Sequence, residues 1–248
     1  MTVSSPDRRN RIATVCARGG SKGLAGKNGR LLLGKPLLAW SVEQAKQSGL
    51  FQTVVVTSDS DALLDAGRNA GADMAIKRPD DLSHDRISKL PAIVHAVHEA
   101  ETKSGIRYET IVDLDATAPL RLKDDIQGVV DMLEESNLTN VITGSPSRRS
   151  PYYNMVEKDE NGIVMVCKKH TKPVKFRQDA PDCFDLNASI YAWNREPFLS
   201  DPKEFYVRTG IYIMPPERSH DIDSELDFRI VEVMMKHLQG SQDTTVGV

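Results

Sequence analysis

Three short stretches of this 248-residue sequence carry side chains whose types and spacing could do chemistry. The first is ATVCARGGSKGLAGKN, residues 13–28, which sets Arg18 and Lys22 among glycines directly after a short apolar run. Glycine lets backbone N–H groups close on an anion, and cations beside a following helix suit phosphate, so a triphosphate or pyrophosphate is the natural ligand. The Walker pattern is not met, because Ser21 stands where its first glycine belongs and Asn28 where its hydroxyl belongs. Adjacent Gly19 and Gly20 break the dinucleotide pattern as well. A glycine-rich surface turn with solvated cations is the competing reading.

The second stretch is DLDATAPLR, residues 113–121. On an extended strand Ile111, Asp113 and Asp115 share one face, and two carboxylates there are costly to bury without a cation, a metal or a substrate hydroxyl. Capping of nearby backbone N–H groups is the alternative, and for Asp113 the favoured one. The third stretch is SHDIDSELD, residues 219–227, where Asp221 and Asp223 alternate onto one face. Taken alone it reads as the cap of a last helix, through Asp223 or Ser224; beside a phosphate loop, two carboxylates also suit a hard cation such as Mg2+.

Other classes of function are disfavoured. The run CKKHTKPVKFRQ, residues 167–178, is basic, but the chain carries a net charge of −3, so neither nucleic acid nor a membrane surface is expected as a partner. The six histidines form no triad or metal-ligand spacing, and Cys16, Cys167 and Cys183 are odd in number and far apart, so no disulfide framework or zinc site is expected. No apolar run reaches the length of a membrane span or a signal-peptide core, which predicts a soluble cytoplasmic protein.

The elements that must position these residues follow from periodicity. Strands are expected at 12–17, 53–59, 73–79, 110–120 and 140–146, alternating with helices at 36–49, 61–71, 89–105 and 122–136. Such alternation predicts an α/β fold, a mostly parallel, mixed sheet flanked by helices with its crevice at the strands' carboxyl ends. From 150 to 194 the helical period gives way to β-rich runs and an Asn-Gly turn, read as a β-rich insertion, a dimerisation arm, inside a single domain spanning 1–248. A strand at 206–215 and a helix at 223–240, with Leu226, Ile230, Val233 and Met234 as its apolar face, close the chain.

In this order the stretches ARGGSKGLAGKN, VVVTSD, KRPDDLSHD, TAPLR, FRQ, LNASIYAW and SHDIDSELDF resemble the CMP-sialic acid synthetases, or acylneuraminate cytidylyltransferases. The resemblance spans nearly the whole chain. It implies a nucleotide-diphospho-sugar transferase-like fold, a homodimer with an exchanged arm, a need for Mg2+, and a reaction joining CTP to the anomeric hydroxyl of a nine-carbon acidic sugar. It implies Arg18 and Lys22 as the catalytic ligands of the triphosphate, Ala17, Asn28 and Arg78 as further nucleotide contacts, and Asp221 and Asp223 as metal carboxylates. Asp115, Arg177, Gln178, Asn187 and Tyr191 are expected at the sugar, with Arg177 contributed by the partner subunit.

Two departures point within the family. Asp115 stands where sialic acid enzymes tend to carry glutamine, and Asp185 precedes the LNASIY segment where many carry arginine. These forms, with KLPAI at 89–93, resemble the branch acting on legionaminic acid, a diamino relative of sialic acid. Activation of another keto-acid sugar, pseudaminic or 3-deoxy-manno-octulosonic acid, is the nearest alternative; a catalytically silent nucleotide-binding homologue is another.

Overall fold

The computed structural model describes residues 10–20, 23–84, 87–172 and 174–243. Strand β1 (Arg11–Cys16) leads through a glycine-rich loop to the small hairpin β2 (Leu31–Leu32) and β3 (Lys35–Pro36) and then α1 (Leu37–Ser48). Next come β4 (Thr53–Ser58), α2 (Asp61–Asn69), β5 (Met74–Lys77), α3 (Leu90–Ser104), β6 (Thr110–Leu114), α4 (Lys123–Glu135) and β7 (Asn140–Pro146). A hairpin of β8 (Val156–Lys158) and β9 (Val164–Val166) precedes β10 (Phe184–Asn194), α5 (Arg195–Ser200), β11 (Thr209–Ile213) and α6 (Glu225–Asp243).

Seven strands form one sheet in the order β11-β7-β10-β6-β1-β4-β5. Pairings among β6, β1, β4 and β5 are parallel, as is β11 with β7, while β10 runs antiparallel to both β6 and β7. This is the mixed, mostly parallel sheet expected. The β-rich arm needs redrawing: residues 184–194 are a central strand, because the run ASIYAW is buried on both faces like any inner strand of a helix-covered sheet.

Alternation along each strand sorts side chains to two cores. On one face Ala13, Val15, Val54, Val56, Val112 and Leu114 pack under α1, α2 and α4; on the other Ile12, Val55, Ile111 and Trp193 pack under α3. A third cluster of Leu32, Leu37, Leu120, Ile222, Phe228, Val231 and Met235 docks α6 against the first helix and the hairpin. Here the expected apolar face is corrected: Leu226 and Val233 are each 66% exposed, and Phe228, Val231 and Met235 face the core. The helix carries two apolar stripes, and its docking partner, not its own period, selects between them.

On the helix side, Gly67 sits where a Cβ would come within 2.6 Å of Val56 Cγ2. Alanine is the better helix former, but here it would force α2 away from the sheet. Gly67→Ala should therefore destabilise the fold by about 1–3 kcal/mol, seen as a lower urea midpoint with an unchanged slope; a stabilised variant would show that α2 is free to shift.

Candidate active site

At the carboxyl ends of β1, β4 and β6 lies a cleft of about 280 Å³, lined by Cys16, Arg18, Lys27, Asn28, Arg78, Lys89, Asp115 and Thr117 with Leu82, Ser83, His84, Ile87 and Ser88. Four of the residues singled out in the sequence thus meet in one place: Arg18, Asn28, Arg78 and Asp115. Ala17 is buried beneath the cleft and donates its N–H to Thr57 O. Lys22 lies outside the described residues.

The loop after β1 is built by three tethers. Gly19 N–H donates to Asp59 Oδ1 at 2.8 Å, Asn28 Nδ2 donates to Arg18 O at 3.0 Å, and Gly26 takes the left-handed conformation (φ 62°) that lets residues 27–29 turn back. Its far side is held by the chain's last segment. Lys27 Nζ donates to Ile222 O and Asp223 Oδ1, both at 2.7 Å, and a Cβ on Gly23 would lie 2.5 Å from Asp223 O. Only glycine lets the loop approach Asp223 this closely.

Arg78 follows β5 and is 6% exposed; its Nη2 donates to Thr57 O at 3.1 Å, while Nε has no hydrogen-bond partner among the described residues. Asn28 Oδ1 is likewise buried and unpartnered among them. A buried donor and a buried acceptor left open in one cleft wall are costly unless a ligand meets them.

The pair Asp113 and Asp115 does converge, and on a cation. Lys89, just before α3, places Nζ 2.9 Å from Asp113 Oδ2 and 3.1 Å from Asp115 Oδ2, with the ammonium 4.2 Å from the centroid of the Tyr191 ring. Asp113 caps no backbone N–H, contrary to the favoured expectation; it is fully buried and accepts from Thr14 Oγ1 at 2.8 Å. Asp115 does cap, accepting from Thr117 N–H at 3.0 Å and Thr117 Oγ1 at 2.9 Å. Burial disfavours charge on Lys89, but Asp113 and then Asp115 outweigh it and raise its pKa. Burial also pushes Asp115 up, yet Lys89 and the Thr117 bonds hold it below its usual range. The Cys16 thiol is driven well up, by burial first and by Asp113 second, so it is inert as a nucleophile.

Behind this cluster the fully buried Arg121 donates to Ser189 Oγ at 3.1 Å, Ser41 Oγ at 2.9 Å, Gln44 Oε1 at 3.2 Å and, closely, to Asp115 O. Its fork fixes the main chain that carries Asp115. Neither Lys89 nor Arg121 was given a role from the sequence, although the stretches KLPAI and TAPLR hold them: a lysine before a helix reads as solvated, and its convergence on Asp113 and Asp115 reveals it.

The metal candidates are placed beside the cleft's loop. Asp221 is half-buried and its carboxyl is pushed up, by burial first and then by Asp223 and Asp115. Asp223 pairs with Lys27, so it does not cap α6; Ser224 and Asp227 do, with Ser224 N–H and Oγ donating to Asp227 Oδ2 at 2.8 and 2.7 Å. Among the described residues no group of three or more His, Cys, Asp or Glu could hold a metal. Two carboxylates still fit Mg2+, which takes one or two and draws its other oxygens from phosphate and water.

The remaining sugar-site candidates are not brought into the cleft. Arg177 and Gln178 lie in an exposed turn, where Arg177 Nη2 donates to Ser147 O at 3.0 Å; Asp185 Oδ1 accepts from the same serine's hydroxyl at 2.8 Å. Asn187 is 3% exposed, with its amide committed to Thr143 and Ser219. Tyr191, on β10, reaches the Lys89 ammonium with its ring.

This arrangement, a mixed sheet with a cationic cleft at its carboxyl edge, is that of a nucleotidyltransferase. A solved CMP:2-keto-3-deoxy-manno-octonic acid synthetase complexed with CTP superposes with a TM-score of 0.68 at 16% identity, over 92% of this chain and 99% of that one. The chain belongs to the cytidylyltransferase family, whose model matches residues 12–230. It is 40% identical to a CMP-N,N'-diacetyllegionaminic acid synthase of Campylobacter jejuni, over 90% of this chain and 94% of that protein. It is 37% identical to the post-translational flagellin modification protein B of Campylobacter coli, over 91% and 94% respectively.

Because the folded chain holds Asp115 ionised more strongly than the unfolded chain, Asp115 contributes stability that is complete above about pH 4 and lost as pH falls through its lower folded value. Unfolding midpoints of Asp115→Asn and the parent chain, followed from about pH 6 to about pH 3, should converge on the acid side; a constant gap would show that Asp115 titrates alike in both states.

Proposed function

We propose that this chain joins CTP to a nine-carbon acidic sugar, giving the CMP-sugar and pyrophosphate, with legionaminic acid preferred over N-acetylneuraminic acid. The observation that carries the reading is the open pair of buried polar atoms, Arg78 Nε and Asn28 Oδ1, in a cleft that also gathers Arg18 and Lys27. An acceptor on a base can meet the first and a ribose hydroxyl the second, while the cations suit phosphate. Family membership and the 40% likeness to a CMP-N,N'-diacetyllegionaminic acid synthase support the choice of reaction and sugar.

In the reaction the sugar's anomeric hydroxyl gives its proton to solvent as its oxygen bonds to the α-phosphorus, the bond from that phosphorus to the bridging oxygen breaks, and pyrophosphate leaves with the electron pair. Charge neutralisation dominates such a transfer, and Arg18 and Lys27, which line the cleft, would provide it together with Lys22. Asp221 and Asp223 would hold Mg2+, which supplies further neutralisation of phosphate charge when bound. Asp115, deprived of the glutamine amide's donor capacity, would accept from an N–H or O–H of the sugar and so set its choice. We assign the reaction to the cytoplasm, in keeping with three free cysteines and with no membrane-length apolar helix among the described residues.

Two copies would act together. The β8–β9 hairpin exposes Val156 at 57%, Val164 at 58%, Met165 at 61% and Val166 at 42%, an apolar ribbon that suits a second copy of the chain and would carry Arg177 toward the partner's sugar.

Pyrophosphate release from CTP, measured across a panel of acidic sugars with Mg2+ or chelator, tests the reading. Release with legionaminic acid first and none with chelator is expected; no release with any sugar would sink it. Asp115→Gln should shift the ranking toward N-acetylneuraminic acid, and an unchanged ranking would remove Asp115 from the choice of sugar. Val164→Glu in the hairpin should yield monomers by sedimentation and lower turnover at least tenfold; a dimer as tight as the parent's would place the interface elsewhere.

A further inference from the structure

The Lys89 ammonium joins a helix start to a strand end, and its chemistry goes further than neutralising a buried charge. Asp113 already has a hydroxyl partner in Thr14 and lies wholly out of solvent, whereas Asp115 and Lys89 keep 21% and 23% of their side chains exposed, on the wall of the cleft. The Asp115 carboxylate is therefore the member that a ligand can reach. Its Oδ1 is taken by two bonds from Thr117 and its Oδ2 by one from Lys89. A carboxylate offers about four acceptor directions, so one is left, on Oδ2 beside the ammonium.

We infer that Lys89 is the positioning residue for sugar selection: it locks the Asp115 carboxylate so that a single Oδ2 lone pair faces the cleft as acceptor for one N–H or O–H donor of the acidic sugar. This deepens the reading of the cleft given above and rests on it. Without Lys89 the carboxylate keeps the Thr117 bonds but can turn about them, and two like charges are left facing one another without a cation. The ammonium also lowers the charge that meets the sugar's own carboxylate, since one cation against two carboxylates leaves one net negative charge. Lysine suits the place because a compact ammonium pairs with Asp113, donates to Asp115 and lies over the Tyr191 ring at once.

The test uses the full chain carrying Lys89→Met and steady-state kinetics with CTP and with legionaminic and N-acetylneuraminic acids. The KM for CTP should stay within about twofold, while the KM for the preferred sugar rises roughly ten- to a hundredfold, the scale of one charge-assisted hydrogen bond, and the preference ratio falls toward one. Lys89→Met leaves Asp113 buried without its cation and can cost folding for that reason alone. The double variant Lys89→Met/Asp113→Asn removes that cost: its thermal midpoint should recover while the sugar KM and the flattened preference persist. An unchanged sugar KM and ratio in whichever variant folds would overturn the inference alone, as would recovery of both in the double variant or an equal rise in the KM for CTP. Absence of turnover by the unmodified chain would overturn the reading of the cleft and the inference with it.

Discussion

A fully buried carboxylate at the end of an inner strand is the constraint around which the cleft is arranged. Asp113 lies between β1 and β10 with no access to water, and an ion so placed needs a counter-ion and hydrogen bonds together. Thr14 supplies a bond from the neighbouring strand, and Lys89 supplies the charge from the start of α3. Removing a partner from such a pair typically costs about 3–5 kcal/mol, so the position of α3 relative to β6 is fixed by more than its apolar face. Everything that lines the inner wall of the cleft inherits its place from that junction. The antiparallel course of β10 matters here, because it sets Tyr191 opposite Asp113 and brings an aromatic ring under the ammonium.

The outer wall is fixed by a second set of contacts, joined to the first where Ile222 N–H donates to Thr117 O at 2.9 Å. The loop after β1 leans on α6: Lys27 reaches Ile222 and Asp223, Gly23 lies against Asp223, and Arg30 forks onto Glu225 with its guanidinium 4.2 Å over the Phe228 ring. Segments nearly two hundred residues apart in sequence are thus one structural unit. Because Ser224 and Asp227 cap α6 between themselves, Asp223 is released from that duty and turned toward the loop. The capping box and the carboxylate pair, which compete for the same residues on paper, are satisfied at once.

How much of this was legible in the sequence depends on the range of the interaction. Most strands and helices from β1 to β7 fall within a few residues of their expected bounds, because period and glycine stops are local signals, but β6 stops at Leu114, well short of 120, and the β2–β3 hairpin was not foreseen. The face shared by Asp113 and Asp115 was equally local, but it left a cation, a metal or a substrate hydroxyl open as the partner and favoured backbone capping for Asp113. The identity of the cation was not legible: KLPAI marks a branch of the family without giving Lys89 a contact, because the carboxylates it meets belong to another part of the chain. The docked face of α6 was misread for the same reason, as its two apolar stripes are separated only by what they meet. Arg177 and Asn187 carry the opposite lesson. A motif placed them at the sugar, but within one chain Arg177 sits over Ser147 and Asn187 is spent bracing Thr143 and Ser219. A motif records which residues recur together and leaves open whether each touches a ligand, braces a neighbour, or acts on another copy.

Charge accounting explains why a cleft suited to anions keeps carboxylates at all. Arg18, Lys27 and Arg78 would hold any polyanion, and cations alone discriminate poorly among acids of similar size, because a point charge attracts every carboxylate and phosphate alike. An ionised Asp115 reverses the sign at one point and rewards only a ligand that presents a donor there. Such an acceptor selects well only if it cannot turn or take up a proton, and both are prevented by the same contacts: Thr117 on one oxygen, Lys89 on the other, and the Arg121 fork on the main chain beneath. On the proposed reading, selectivity in this cleft belongs to the rigidity of one carboxylate, and that rigidity traces back to the need to bury its neighbour, Asp113.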